Sequence, residues 1–199
     1  MEKYLLCTIL PMEPSPEARN AIVMDVMFVM IIESRCFKFK TGSGQIIDIT
    51  PNVIENVLPY LQKTKTDDEA CGYVVGYKNK STHNITLNST SLPGAEDYRT
   101  RIFCKLKDVA HKIFLKRQES EKNYYMGTWH THPQNIPIPS LIDIKEWEDT
   151  LKSDKTGCEY AFFLIFGVDE FRVWYGDYKT KRILELKEIK RINDLYIER

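Results

Sequence analysis

The spacing of apolar residues along the chain switches between the two periods that mark strands and helices. "CFKFK" (36–40) and "QIIDI" (45–49) flank "TGSG", where Gly-Ser-Gly punctuates two runs of β-branched and aromatic residues; this predicts a hairpin. Thr50 and Pro51 then supply an N-cap and a first helical residue, and Val53, Ile54, Val57, Leu58 and Leu61 recur at intervals of three and four, predicting an amphipathic helix. "CGYVVGY" (71–77) and "HNITLNST" (83–90) read as two strands joined by a polar loop. From Ala95, the series Tyr98, Ile102, Leu106, Val109, Ile113 and Phe114 fits one face of a long helix. Three aromatic-rich strands follow in "NYYMGTWH", "YAFFLIFGV" and "FRVWYGD", the second so apolar that it should be central and covered on both faces. "KRILELKEIK" alternates apolar and charged residues and suits an edge strand or a helix. No internal repeat or low-complexity tract breaks the pattern, and helices interleaved with strands predict an α/β or α+β sheet domain.

Composition narrows this picture. The chain has 199 residues, enough for one substantial core without requiring a second. Its 28 basic and 28 acidic residues leave no net charge to hold it on nucleic acid or an anionic membrane, so neither is expected as a partner. Five cysteines at wide spacings, without a CxxC pair, predict a reducing, cytoplasmic setting with no disulfide framework and no cysteine zinc ribbon. The most apolar run, "AIVMDVMFVMII" (21–32), contains Asp25 and is shorter than the about 20 residues of a membrane span, which favours a buried strand or helix. Residues 1–35, with Pro11, Pro14 and Pro16 near their start, are set apart as an N-terminal extension whose role is not legible.

Chemistry concentrates in "TWHTHPQNIPIPSLID" (128–143). If "MGTWHTH" is a strand, His130 and His132 project from one face and can converge on a single ion. A catalytic zinc commonly takes three protein ligands, and Asp143 is the candidate third. Three prolines stiffen the loop that leads there. Ser140 and Asp143 also form an S-x-x-D capping box, so a helix cap and a metal ligand can be the same aspartate. Hydrolysis further needs a general base. Glu69, at the mouth of an apolar strand where burial raises a carboxyl pKa, is attractive, although Asp67, Asp68, Glu96 and Asp97 compete on spacing alone. Cys71 reads better as a small buried residue than as a nucleophile, and Trp129, on the strand's opposite face, as core. Trp147 suits core or groove wall equally, while His83 and His111 fall outside the motif as surface or packing residues.

His130-x-His132, seven residues, Ser140, two residues and Asp143, with a glutamate upstream, resembles the JAMM signature of the JAB/MPN metalloproteases. Pro133 and Pro139 fall where bacterial members often have prolines. "EACGYVVG" supplies Glu69, Gly72 and Gly76 of the upstream element and departs from it at Cys71. The resemblance spans residues 38–177 and implies a JAB/MPN domain over 36–199, with a cytidine-deaminase-like mixed β-sheet flanked by helices. It implies one zinc held by His130, His132 and Asp143, Glu69 as the base that passes a proton from water to the leaving amine, and Ser140 as an oxyanion donor. Within the family, "LPGAEDYRTR", "GTWHTHP" and "PSLIDIKEW" are similar to the stand-alone bacterial deconjugating peptidases of CBASS antiphage operons. That likeness implies a conjugated cGAS-like nucleotidyltransferase as substrate and an operon-encoded E1-E2-like ligase as functional partner. Other readings are a deubiquitinase-like or sulfur-carrier-processing peptidase acting on a ubiquitin-like modifier tail, or a non-catalytic MPN scaffold. A zinc deaminase is excluded, because the chain lacks both H-x-E and P-C-x-x-C. The stretch of about 16 residues between Asp143 and "YAFFLIFGV" leaves little room for an insertion that grips a second ubiquitin.

Overall fold

The computed structural model describes residues 36–153, 158–192 and 195–198. The N-terminal extension, the 21–32 apolar run within it, and Cys7 lie outside the described residues. The first hairpin forms as expected: β1 (Phe37–Lys40) pairs antiparallel with β2 (Ile46–Ile49), and α1 (Pro51–Val57) follows, with Pro51 in its first turn. Val53, Ile54 and Val57 are buried. Pro59 lies in a short 3₁₀ turn, Leu58–Tyr60, so the α-helix is shorter than its apolar pattern.

β3 (Cys71–Lys78) and β4 (Ile85–Thr90) are antiparallel, and β2 lies parallel to β4. On the other side of β3 lies β7 (Tyr124–Thr131), antiparallel to it, followed by β8 (Tyr160–Phe166), parallel to β7, and β9 (Phe171–Asp177). β8 is buried at all seven positions, as its continuous apolar composition predicts. With β10 (Ile183–Glu185), β11 (Lys187–Ile192) and β12 (Leu195–Glu198), the strand order is β10-β9-β8-β7-β3-β4-β2-β1-β11-β12. "KRILELKEIK" is therefore extended, but it divides at Leu186: β10 pairs with β9, and β11 with β1. The mixed sheet with helices is the predicted class.

The long helix is the main correction. Tyr98, Ile102, Val109 and Ile113, four members of the supposed stripe, are exposed. Residues 98–105 instead form a separate hairpin of β5 (Tyr98–Thr100) and β6 (Phe103–Lys105), and α2 covers only Val109–Ser120. Local hydrogen bonds override the periodicity. The Asp97 carboxylate accepts the N–H groups of Gly94, Lys107 and Asp108, while the Asp108 side chain caps α2 by accepting from Ala110 N at 2.8 Å.

The third helix, α3 (Leu141–Lys152), covers the region of the sheet that carries the histidines. Its Trp147 and Leu151 pack with Ala161, Phe163 and Ile165 of β8 and with Trp174 and Tyr178. Trp147 stacks on Phe163 at 4.8 Å between ring centroids. On the other face of β7, Trp129 is fully buried and donates its indole N–H to Ser91 O at 3.1 Å. That indole explains one glycine of the upstream motif: a Cβ on Gly72 would lie 2.2 Å from Ser91 O and 2.4 Å from Trp129 Nε1.

Candidate metal centre

The alternation of β7 puts His130 and His132 on one side, with Trp129 and Thr131 directed to the other. His132 is one residue past the strand, yet its N–H still donates to Phe166 O at 2.9 Å, which prolongs the pairing with β8. Both imidazoles are buried, and their Nε2 atoms stand 3.2 Å apart. Asp143 reaches them from the first turn of α3, with Oδ1 3.3 Å from His130 Nε2 and Oδ2 3.4 Å from His132 Nε2. The predicted capping box holds it there: Ser140 Oγ accepts from Asp143 N at 3.2 Å, and Ser140 N donates to Asp143 Oδ2 at 2.6 Å.

These separations test whether the residues fit a metal. Ligands at about 2.0–2.1 Å around a tetrahedral zinc are about 3.3–3.4 Å from one another. The observed edges of 3.2, 3.3 and 3.4 Å match that requirement. The electrostatics match as well. Burial lowers the His130 pKa and favours the neutral imidazole that ligates metal. Burial alone would raise the Asp143 pKa, but hydrogen bonds from His130, His132 and Ser140 outweigh it and hold the carboxyl well below the usual range.

Of the five competing carboxylates only Glu69 reaches this centre; one of its oxygens and the two imidazole nitrogens all lie within 4.8 Å of one another. Asp67 is used in a turn, accepting from Thr64 N; Asp68 and Glu96 are exposed; Asp97 is committed to the loop before α2. The carboxyls of Glu69 and Asp143 are shifted in opposite directions. Burial first, then the charges of Asp143 and Glu146, push its carboxyl up to about 8. Its backbone is held from both sides. Glu69 N donates to Thr100 O and Arg99 Nε to Glu69 O, each at 2.8 Å, and the adjoining Ala70 exchanges bonds with Thr131. His130, Asp143 and Glu69 border a cavity of about 550 Å³ whose lining also includes Phe103 and Lys105 of β6 and Trp147. Trp147 thus serves both as core and as groove wall.

Cys71 corrects the reading of the cysteines. It is joined by a disulfide to Cys104 of β6, so the hairpin is tied to the strand that follows Glu69. A separation of 33 residues carries no pairing signal in a single sequence, and the cysteine count no longer argues for a reducing compartment. Among the described residues, Cys36 and Cys158 stand outside a disulfide. His83 is exposed. His111 is buried in a relay in which Tyr73 N donates to Ser91 Oγ (2.8 Å), Ser91 Oγ lies 2.7 Å from His111 Nδ1, and His111 Nε2 lies 2.7 Å from Asp97 Oδ2. The neutral Nε2–H tautomer satisfies every member. Ser91 is itself buried, so this Ser-His-Asp arrangement is a structural relay closed to substrate.

A profile of prokaryotic homologs of the JAB domain matches residues 52–176, a range that contains Glu69, both histidines, Ser140 and Asp143. The chain belongs to this family. Among curated relatives, this JAB protein is 28% identical to a CD-NTase/cGAS isopeptidase of Vibrio cholerae serotype O1 over 155 residues, covering 76% of this chain and 94% of the relative. It is 29% identical over 143 residues to the protein of the same name in Escherichia coli, covering 70% and 86%. Among solved structures, a JAB1/MPN domain protein of Archaeoglobus fulgidus aligns at 16% identity and a TM-score of 0.38, over 69% of this chain and 94% of its own. The profile match bears out, for the family, the resemblance read from the motif. Sequence reading missed the residues that hold the backbone at Glu69 and Ala70 in this JAB domain, namely Arg99, Thr100 and Thr131. The one trace they leave is polarity inside otherwise apolar or strand-like stretches.

Proposed function

We propose that this JAB protein is a zinc-dependent isopeptidase that hydrolyses the amide after a protein modifier's C-terminus, releasing a conjugated cGAS-like nucleotidyltransferase from its targets in CBASS antiphage defence. The observation that carries the reading is the three-edged set of His130, His132 and Asp143 with Glu69 beside it. The CD-NTase/cGAS isopeptidase activity for which the Vibrio and Escherichia relatives are named supports the substrate class. His130, His132 and Asp143 are the residues that would hold zinc. When bound, zinc supplies Lewis-acid polarisation of the scissile carbonyl and lowers the pKa of water to about 7.

The remaining work falls to side chains of this chain. Glu69, whose carboxylate lies beside the two imidazoles, takes a proton from the attacking water in its ionised form and returns it to the leaving amine. Ser140 uses an oxygen lone pair in its cap, which leaves its O–H proton for the carbonyl oxygen as that atom gains charge. Asp143, already ionised, balances the positive charge at the centre. The cavity beside Trp147 and β6 receives the modifier's tail. The partners are a conjugated protein and, in function, an E1-E2-like ligase of the same operon; the proposed setting is the bacterial cytoplasm, where the buried Cys71–Cys104 disulfide would have to resist the thiol pool. Among the described residues no helix is long and apolar enough to cross a membrane.

The test uses a reporter protein fused to the C-terminal tail of a cGAS-like nucleotidyltransferase. Purified protein should carry about one zinc per chain and cut at the junction, and His130→Ala should lose both properties. A wild-type rate in Glu69→Gln, or protein that takes up no zinc, refutes the mechanism.

A further inference from the structure

Gln62 is buried, about 1% exposed, in the loop that precedes Glu69. An unsatisfied amide there would be costly, and an apolar residue of similar volume would fill the space without that risk. Instead the amide joins three segments. Its Nε2 donates to Asp67 O at 2.9 Å and to Arg101 O at 3.1 Å, and its Oε1 accepts from Thr131 Oγ1 at 3.2 Å. Each contact lies next to a group that holds Glu69. Asp67 is two residues before it. Arg101 follows Thr100, whose carbonyl takes the Glu69 N–H. Thr131 sits between the two histidines, and its hydroxyl accepts from Ala70 N at 3.0 Å while its own N–H donates to Ala70 O at 3.0 Å.

We propose that Gln62, acting through Thr131, is a positioning residue that sets Glu69 against the histidine pair. The proposal rests on the reading of Glu69 as the general base. Gln62 never touches the cavity; it fixes the loop, the β5–β6 hairpin and the end of β7 in a single arrangement. Because Thr131 faces away from the histidines on the same short stretch of backbone, one hydrogen-bond chain registers base and ligands together. A misplacement of about 1 Å in such a constellation can cost about 100-fold in rate.

The experiment measures kcat, KM and zinc content with the tail–reporter fusion for Gln62→Leu, Thr131→Val and Thr131→Ser, and repeats Gln62→Leu and Thr131→Val in a Glu69→Gln background. Gln62→Leu and Thr131→Val should each lower kcat about 10- to 100-fold with KM and zinc content unchanged. Thr131→Ser, which keeps the hydroxyl, should recover most of that loss. With Glu69 already replaced, neither substitution should cost anything further, because its effect passes through that carboxylate. Amide hydrogen exchange at Ala70 should accelerate in Thr131→Val, a readout independent of turnover. A wild-type kcat in folded Gln62→Leu, a full additional loss in the Glu69→Gln background, or loss of zinc overturns the proposal. If Gln62→Leu does not fold, the Thr131 pair and its Glu69→Gln combination decide the same question. Wild-type cleavage by Glu69→Gln alone would instead sink the underlying mechanism.

Discussion

Ser140 and Asp143 cap one another, each side chain accepting the other's backbone N–H, and the same carboxylate faces both histidines. Helix initiation and the placement of this candidate ligand are therefore one structure. Ser140→Ala should cost about 1 kcal/mol of stability through the lost cap, whereas Ser140→Gly should cost only a few tenths. If the hydroxyl also serves the oxyanion, both variants should lose about 10²- to 10³-fold in kcat with zinc retained. Thermal unfolding beside kinetics on the tail–reporter fusion checks this; a rate loss that follows stability would leave Ser140 as a cap alone.

If His130, His132 and Asp143 hold zinc, metal should stabilise the fold by mass action, because these three residues come from β7, the position after it and α3 and meet only in the folded chain. Zinc at about 1,000 times its dissociation constant adds about 4 kcal/mol. Chelation should lower the thermal midpoint and zinc should restore it. His132→Ala and Asp143→Ala should show no such shift. A midpoint indifferent to zinc in the parent protein would contradict the ligand assignment.

Glu69 should destabilise the metal-free protein near neutral pH. Its folded pKa, about 8, lies above the ordinary glutamate value of 4.5, so the folded state holds a proton that the unfolded state releases across that interval. The favourable contribution is complete below about 4.5 and is lost as pH rises toward 8. Metal-free Glu69→Gln should thus be more stable than metal-free parent at pH 8, by an amount on the order of a few kcal/mol, with the difference vanishing toward pH 4.5. Denaturant titrations at the two pH values measure it, and equal stabilities at pH 8 would count against burial as the cause.

The disulfide from Cys71 to Cys104 closes a segment with a sequence separation of 33. By loop entropy its removal should cost about 3–4 kcal/mol. Cys71→Ala with Cys104→Ala should unfold at lower denaturant, and reductant should shift the parent but not the double variant. Peptide mapping without reductant should recover the two cysteines linked; separate, fully alkylated peptides would refute the pairing.

How legible this protein was depends on the range of the interaction that decides each part. The hairpin at "TGSG", the strands of "CGYVVGY" and "YAFFLIFGV", and the histidine pair follow from period and turn chemistry within a few residues. The long helix failed because its deciding contacts are polar and local but not periodic: Asp97 gathers three backbone N–H groups and turns the chain before Asp108 restarts it. Glu69 was distinguishable from Asp67 and Asp68 only through the family motif, since the contacts that single it out come from Thr100, Arg99 and Thr131 far along the chain. His111 left no mark at all. Its partners, Ser91 and Asp97, are ordinary loop residues until the fold encloses them.

That enclosure predicts an acid sensitivity away from the metal centre. Burial alone would raise the Asp97 carboxyl, but bonds from Asp108 N, His111, Gly94 N and Lys107 N outweigh it and bring the pKa down to about 2. A carboxyl depressed on folding stabilises above its unfolded value of about 4, and the contribution fades as pH falls through about 2. Asp97→Asn keeps the shape but weakens acceptance from His111 and the backbone, and it should cost about 1–3 kcal/mol at pH 7. Its stability should also be flatter than the parent's between pH 4 and 2, because the variant has no proton to gain there. Parallel acid titrations of unfolding in metal-free protein would reveal the difference; superimposable curves would mean that the relay of Ser91, His111 and Asp97 does not hold the loop before α2.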